Sequence, residues 1–197
     1  MKKPELLAPA GDLTRMKYAY AYGADAVYAG QPAFSLRARE NGFKNLDDLA
    51  EGIAYARNLG KKFYLTSNVI PRNMKVESFQ KALLAAIELG PDALIVADPG
   101  FEGWLRKERP DVEIHLSVQA NTTNYLAAKF WHDLGVRRII LSRELRLSEI
   151  LEIKEKLPDL ELEVFVHGAV CMAMSGRCML SNWVTHRDAN QGACDNS

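Results

Sequence analysis

The chain has 197 residues, with 25 basic side chains balanced by 25 acidic ones and a formal net charge of zero. At 48% hydrophobic and 25% charged residues it has the make-up of one soluble globular domain, which excludes a disordered chain. Neutrality excludes wholesale electrostatic capture of nucleic acid, although a local basic face can still bind it, and no run of about 18 apolar residues exists to span a membrane. The opening Met-Lys-Lys-Pro-Glu carries no apolar leader, so the cytoplasm is the expected compartment.

Short apolar runs alternate with helical-period segments along the chain. Strands are predicted at Glu5–Ala10, Ala26–Gly30, Lys62–Asn68, Ala93–Asp98, Glu113–Ala120, Arg137–Ser142 and Leu162–Ala169. Their centres are continuously apolar, as in Ala93-Leu-Ile-Val-Ala97 and Ile139-Ile-Leu141, which suits parallel strands covered on both faces. Between them, Leu46, Leu49, Ile53 and Ala56 follow a helical spacing behind a capping Asn45, and Val76, Phe79, Leu83 and Ile87 do so before Gly90-Pro91. Asp98-Pro99 predicts a capped helix start, and Ser148-Glu149 opens a helix that Pro158 closes. The strand starts recur about every 26 residues, the period of a (β/α)8 barrel, yet a full barrel needs about 250 residues. The expected fold is therefore α/β, a TIM-barrel-like repeat of about seven β/α units forming an incomplete (β/α)8 barrel, with a doubly wound sheet as the alternative. The barrel-like domain spans 1–169. Residues 170–197, rich in Cys, Met, Ser, Gly and Asn, read as a site-forming loop that continues in a longer parent protein.

Chemistry in such folds gathers at the carboxyl ends of the strands. The sequence places Asp12, Gln31, Asn68, Asp98, Gln119 with Asn121, Ser142-Arg143-Glu144 and His167 there. Asp12, Asp98 and Ser142 read as helix caps. Gln119 and Asn121 suit a planar ligand read by paired donor and acceptor, or caps. Arg143-Glu144 is either a carboxylate fork or an ion pair, while Arg37 and Arg39 suit a phosphate or carboxylate, or simply solvent. No lysine falls at a strand end, which removes Schiff-base aldolase chemistry. Dinucleotide, Walker, zincin and serine-hydrolase motifs are also missing.

Cys171, Cys178 and Cys194 are the only cysteines, separated by six and then fifteen residues. Three soft thiols near one strand end suit an iron–sulfur cluster or zinc, or pack as buried apolar side chains. The run Glu163-x-Phe165-x-x-Gly168-Ala169-Val170-Cys171, continuing through Gly176-x-Cys178-x-Leu180-Ser181, resembles the signature of the peptidase U32 (collagenase-like peptidase) family. Glu5-Leu-Leu-Ala-Pro9-Ala-Gly11, Tyr22-Gly-Ala-Asp25-Ala-Val-Tyr28-Ala-Gly30 and His115-Leu-Ser-Val-Gln119-Ala-Asn121 are similar to its N-terminal barrel. Gly30-Gln31-Pro32, Phe34-Ser-Leu-Arg37-Ala-Arg39 and Leu141-Ser-Arg143-Glu144 resemble the branch that hydroxylates transfer RNA.

That resemblance implies oxygen-independent hydroxylation of the wobble uridine of tRNA to 5-hydroxyuridine, with prephenate as co-substrate and four cysteines on a [4Fe-4S] cluster. By motif match Cys171, Cys178 and Cys194 take three ligand places, the fourth lying beyond Ser197. Arg37, Arg39 and Arg143 are then expected to hold prephenate carboxylates or RNA phosphate, and Gln119 and Asn121 to orient uracil or the donor. Two other readings stand beside it: a peptidase with Cys171 as nucleophile and His167 as base, and a structural zinc held by the three cysteines with His167 or His186.

Overall fold

The computed structural model describes residues 3–36, 41–168, 171 and 173–194. Seven strands form one sheet: β1 (Leu7–Pro9), β2 (Ala26–Gly30), β3 (Lys62–Thr66), β4 (Ala93–Val96), β5 (Ile114–Leu116), β6 (Arg138–Ile140) and β7 (Glu161–Glu163). They lie side by side in chain order, every pair parallel. Helices α1 (Leu13–Ala21), α2 (Leu46–Asn58), α3 (Val76–Ile87), α4 (Pro99–Glu108), α5 (Tyr125–Asp133) and α6 (Leu147–Lys156) follow the first six strands in turn, and a short α7 (Leu180–Thr185) lies in the cysteine segment. No helix among the described residues is long and apolar enough to cross a membrane.

The sheet is strongly curled. Arg138, which opens β6, donates to Glu5 Oε1 just ahead of β1 at 2.6 Å. In a flat sheet those strands would lie about 24 Å apart, five spacings of about 4.8 Å. The Arg138 guanidinium also stands 5.3 Å from the Tyr64 ring on β3. Unbroken chain order combined with this curl makes an incomplete barrel rather than a doubly wound sheet, whose strand order reverses at a switch point.

Alternate side chains divide two environments. Val27, Phe63, Leu65, Leu94, Val96, Ile114, Leu116 and Ile139 point outward and merge with Met16, Leu49, Ile53, Phe79, Leu83, Leu105 and Ile153 of the helices into the main core. Inside, Ala26, Tyr64, Ala93, Ile95 and Ile140 form a smaller apolar group. The helices start where local chemistry dictates: Asn45 Oδ1 accepts the Asp48 amide at 2.9 Å, and Asp98 Oδ1 accepts those of Gly100 and Phe101 ahead of Pro99. Helix α6 begins one residue before the expected Ser148, because the Glu149 carboxylate reaches back to the Arg146 amide at 2.7 Å.

Every strand but β2 ends earlier than its apolar run suggests, β5 and β7 by the most. After Leu116, Ser117 Oγ accepts the Gln119 amide and the chain turns into a 3-10 segment at Val118–Ala120. After Glu163, whose carbonyl accepts from Leu141, β7 has exhausted its one neighbour, because β6 ends there. The expected strand's last residue, Ala169, lies outside the described residues.

The amino end of the barrel interior holds an ionic cluster. Arg138 binds Glu5 and, through Nε and Nη2, Glu161 at 3.0 and 2.7 Å, and lies 3.8 Å from Glu163. Tyr64 Oη donates to Glu5 at 2.9 Å. His115, with no exposed surface, sits 2.9 Å from Glu113; burial lowers its pKa against the pull of that carboxylate. Burial also pushes the Glu163 carboxyl up to about 7, Arg138 offsetting only part of the cost. Glu5 is desolvated too, but hydrogen bonds and charge from Arg138 and Tyr64 hold it below its ordinary value.

Because the folded value for Glu163 lies above the ordinary 4.5, its contribution to stability is complete below about pH 4.5 and is lost as pH rises through about 7. Glu163→Gln, which mimics the neutral carboxyl, is expected to leave the melting temperature at pH 5 nearly unchanged. At pH 8 it should raise it by roughly 5 °C, equivalent to about 2 kcal/mol. Equal shifts at both pH values, measured by calorimetry, would contradict this account.

Candidate active site

The carboxyl ends of the strands are tied into a polar rim. After β2, Gln31 is buried and its Oε1 accepts from Ser67 Oγ at 2.9 Å. After β3, Asn68 donates to Ser117 Oγ at 3.1 Å and accepts the Leu36 amide. After β5, Asn121 occupies the left-handed region at φ 49° and donates through Nδ2 to Ser142 Oγ at 3.1 Å. Asp12 and Asp98 are caps as expected. Ser142 instead receives Asn121, and α6 opens at Arg146, whose amide donates to Glu149. The side-chain amide of Gln119 is half-exposed and makes no hydrogen bond among the described residues, so its donor and acceptor remain available to a ligand. Four buried hydroxyls around this rim, on Ser35, Thr66, Thr122 and Ser175, also have no partner among the described residues. Buried polar atoms are normally satisfied, so these are places that a bound molecule or water completes.

The cysteine segment is fastened over the rim by its backbone. Arg143 Nη2 donates to the Ala173 carbonyl at 3.1 Å, and Glu144 Oε1 accepts the Ser175 amide at 2.9 Å. The pair thus forms neither a mutual ion pair nor an idle fork; each partner grips one turn of the loop. Gly176, at φ +72°, presses so closely on Gln119 that a Cβ there would overlap the Gln119 carbonyl oxygen. Gly192, at φ +88°, lies against the carbonyls of Ser35 and Leu36, where a Cβ would come within 3.1 and 3.2 Å of their oxygens. Gln191 Nε2 donates to the Ile70 carbonyl beyond β3 at 2.8 Å. Each glycine stands two residues ahead of a cysteine, and Asn190 joins the two arms, accepting the Cys178 amide at 3.2 Å and donating to its carbonyl at 2.7 Å.

Cys171 and Cys194 are exposed and Cys178 is half-buried, so the reading as buried apolar cysteines does not describe them. No three His, Cys, Asp or Glu among the described residues are gathered as ligands of a single metal ion, so the zinc arrangement with His167 or His186 is not formed. The three thiols are likewise not gathered at one point, and they match iron–sulfur ligands in chemical kind alone. His167 and Cys171 are both exposed, and no hydrogen bond joins them among the described residues, so a nucleophile–base pair is not assembled. Arg37 and Arg39 lie outside the described residues. Asn190 is the participant missed by sequence reasoning; its only signal was its place in the cysteine segment, since its partner is twelve residues away.

An alanine at 176 must push the loop off Gln119. We expect Gly176→Ala to leave helix content and cooperative melting intact while amide hydrogen exchange across 173–194 accelerates at least tenfold, about 1.4 kcal/mol of local opening. Unchanged protection would mean that this contact does not hold the loop.

Comparison with known proteins agrees with this architecture. The sequence profile of Peptidase family U32 matches residues 11–197. The chain is 56% identical to tRNA hydroxylation protein P of Escherichia coli over all of its own length and 43% of that protein's. It is 40% identical to a 23S rRNA 5-hydroxycytidine synthase of the same organism, over 96% of this chain and 28% of that one. Among solved structures, the U32 peptidase Mk0906 superposes with a TM-score of 0.70 over 87% of this chain and 73% of the other, at 15% identity, a likeness of fold alone. The chain thus spans less than half the length of these two relatives. A curled sheet of parallel strands in chain order, a cysteine loop bolted across its carboxyl rim and a match to that profile over nearly the whole length place this chain in peptidase family U32.

Proposed function

We propose that the chain is the barrel portion of an RNA hydroxylase that converts the wobble uridine of tRNA to 5-hydroxyuridine in the cytoplasm, with prephenate as co-substrate. The observation that carries the reading is the clamped cysteine loop. The segment that carries the three cysteines is fastened to a rim of unsatisfied hydroxyls by contacts of Arg143 with Ala173, Glu144 with Ser175, and of Gly176 and Gly192 with the rim backbone. The names of the relatives agree with it.

In this reading residues 1–169 hold the substrates and 170–197 form the redox loop. Cys171, Cys178 and Cys194 supply three thiolates to a [4Fe-4S] cluster, the fourth coming from the remainder of the longer protein. Hydroxylating carbon 5 of uracil calls for electron transfer that side chains cannot perform, and the cluster supplies it. Gln119 presents its amide to the edge of the uracil ring, with the Asn121 carbonyl oxygen beside it as an acceptor. Arg143, exposed beside the loop it grips, attracts the donor's carboxylates together with Arg37 and Arg39. His167, exposed at the rim, holds or passes a proton at an imidazole nitrogen. The peptidase reading has no assembled Cys–His pair to favour it.

The test is to express the full-length gene in a strain lacking it, purify the protein without oxygen and measure iron, sulfide and 5-hydroxyuridine in tRNA. Cys171→Ala, Cys178→Ala and Cys194→Ala are each expected to reduce both cluster content and wobble modification to background. Full modification by any one of the three would remove that thiol from the set. Modification that survives all three would sink the redox role.

A further inference from the structure

Asn68 lies just past β3 and takes no part in the proposed chemistry, yet its side chain joins two rim points on which the cysteine segment rests. Its Oδ1 accepts the Leu36 amide at 3.2 Å, and its Nδ2 donates to Ser117 Oγ at 3.1 Å. Ser117 Oγ also accepts the Gln119 amide at 3.3 Å. Gly192 lies against the Leu36 carbonyl, and Gly176 is pressed on the Gln119 carbonyl. From the loop side, Asn190 ties together the two arms that these glycines lead into. Its side chain accepts the Cys178 amide and donates to the Cys178 carbonyl, while its own amide donates to Asp188 Oδ1 in the turn that runs on to Gly192. The contacts close a circuit. It runs from Asn68 through Ser117, Gln119 and Gly176 to Cys178, crosses Asn190 to Gly192, and returns through Leu36 to Asn68.

We propose that Asn68 and Asn190 are positioning residues that together set the spacing between the backbones of Cys178 and Cys194. The inference rests on the reading of these cysteines as ligands and names what holds their main chain in place. The three thiols are not gathered at one point, so what the fold presets is the backbone that carries two of them. Groups behind a ligand govern affinity through its placement, without touching the bound centre. Each asparagine has one acceptor task and one donor task, which a carboxamide meets with its two ends. The two places differ in what a carboxylate could do there. At position 68 the acceptor of the Nδ2 hydrogen is a hydroxyl, which can turn its own hydrogen toward a carboxylate and still accept the Gln119 amide. At position 190 it is a carbonyl, which has no hydrogen to give, so a carboxylate would face it unpaired.

The experiment uses the full-length protein, stripped of metal by a chelator and kept from oxygen, with amide exchange followed across 176–194 by mass spectrometry. Asn68→Ala and Asn190→Ala are each expected to accelerate exchange there roughly tenfold, because either one opens the circuit. The double variant is expected to lie within about threefold of the singles, not at the roughly hundredfold above wild type that independent sites give. Asn68→Asp should keep wild-type protection, whereas Asn190→Asp should match Asn190→Ala. Ser117→Ala breaks the same circuit elsewhere and replaces Asn68→Ala if that variant does not fold. Ferrous iron and sulfide are then restored and withdrawn with a ferrous chelator. Asn68→Ala and Asn190→Ala should release iron at chelator concentrations roughly 10- to 100-fold below those wild type requires, and Asn68→Asp should behave as wild type. Exchange in the double variant at the product of the singles would overturn the proposal. So would wild-type protection in Asn190→Asp. Failure of the hydroxylase reading is distinct: wild-type protein would then take up no iron and sulfide and leave the wobble uridine unmodified, while positions 68 and 190 stayed coupled in exchange.

Discussion

The contact between Gly176 and the Gln119 carbonyl is the constraint around which the site is arranged. Only a residue without Cβ can stand there, at a φ that only glycine adopts at little cost. Close approach lets the neighbouring Ser175 amide reach Glu144 and lets Arg143 reach Ala173, so three short-range contacts locate a loop that has little regular structure of its own. At the other end of the segment Gly192 does the same against Ser35 and Leu36, with Gln191 bound to Ile70. A loop held mainly by its backbone, with Gln191 as a side-chain tether to the rim, leaves most of its side chains for other uses.

The two ends of the barrel are built on opposite principles. At the amino end, Arg138 draws Glu5, Glu161 and Glu163 together inside the curl and joins β6 to the edge strand β1, so charges do the work that an eighth strand performs in a closed barrel. Lys62 also serves Glu5 and Arg137 also serves Glu161, whereas among the described residues Glu163 has only the longer contact with Arg138, and burial raises its carboxyl to about 7. At the carboxyl end the polar groups are neutral amides and hydroxyls linked in short pairs, several of them unsatisfied. Ionic closure belongs to stability and the unsatisfied rim to function, the division of labour usual for barrel ends.

Residues 171–194 hold all three cysteines, and their polar, glycine-bearing make-up sets them apart from the helices and strands before them.

Strand number, parallel direction and helix caps were legible in the sequence because each depends on residues close in the chain. An apolar run must be covered on both faces, and Asn45 or Asp98 must serve an amide within three residues. The cysteines were legible as a site for a similar reason, their type and clustering being chemistry that needs no coordinates. What Arg143 and Glu144 do was not, because their partners lie about thirty residues away and both expected uses were pairings with something else. Nor was the early end of β7, which depends on where β6 stops, or the meeting of Glu5 with Arg138 across 133 residues. Local covalent order decides which elements form. Only the curl of the sheet decides which distant groups meet, because burial of its two faces, not any single residue, sets that curvature.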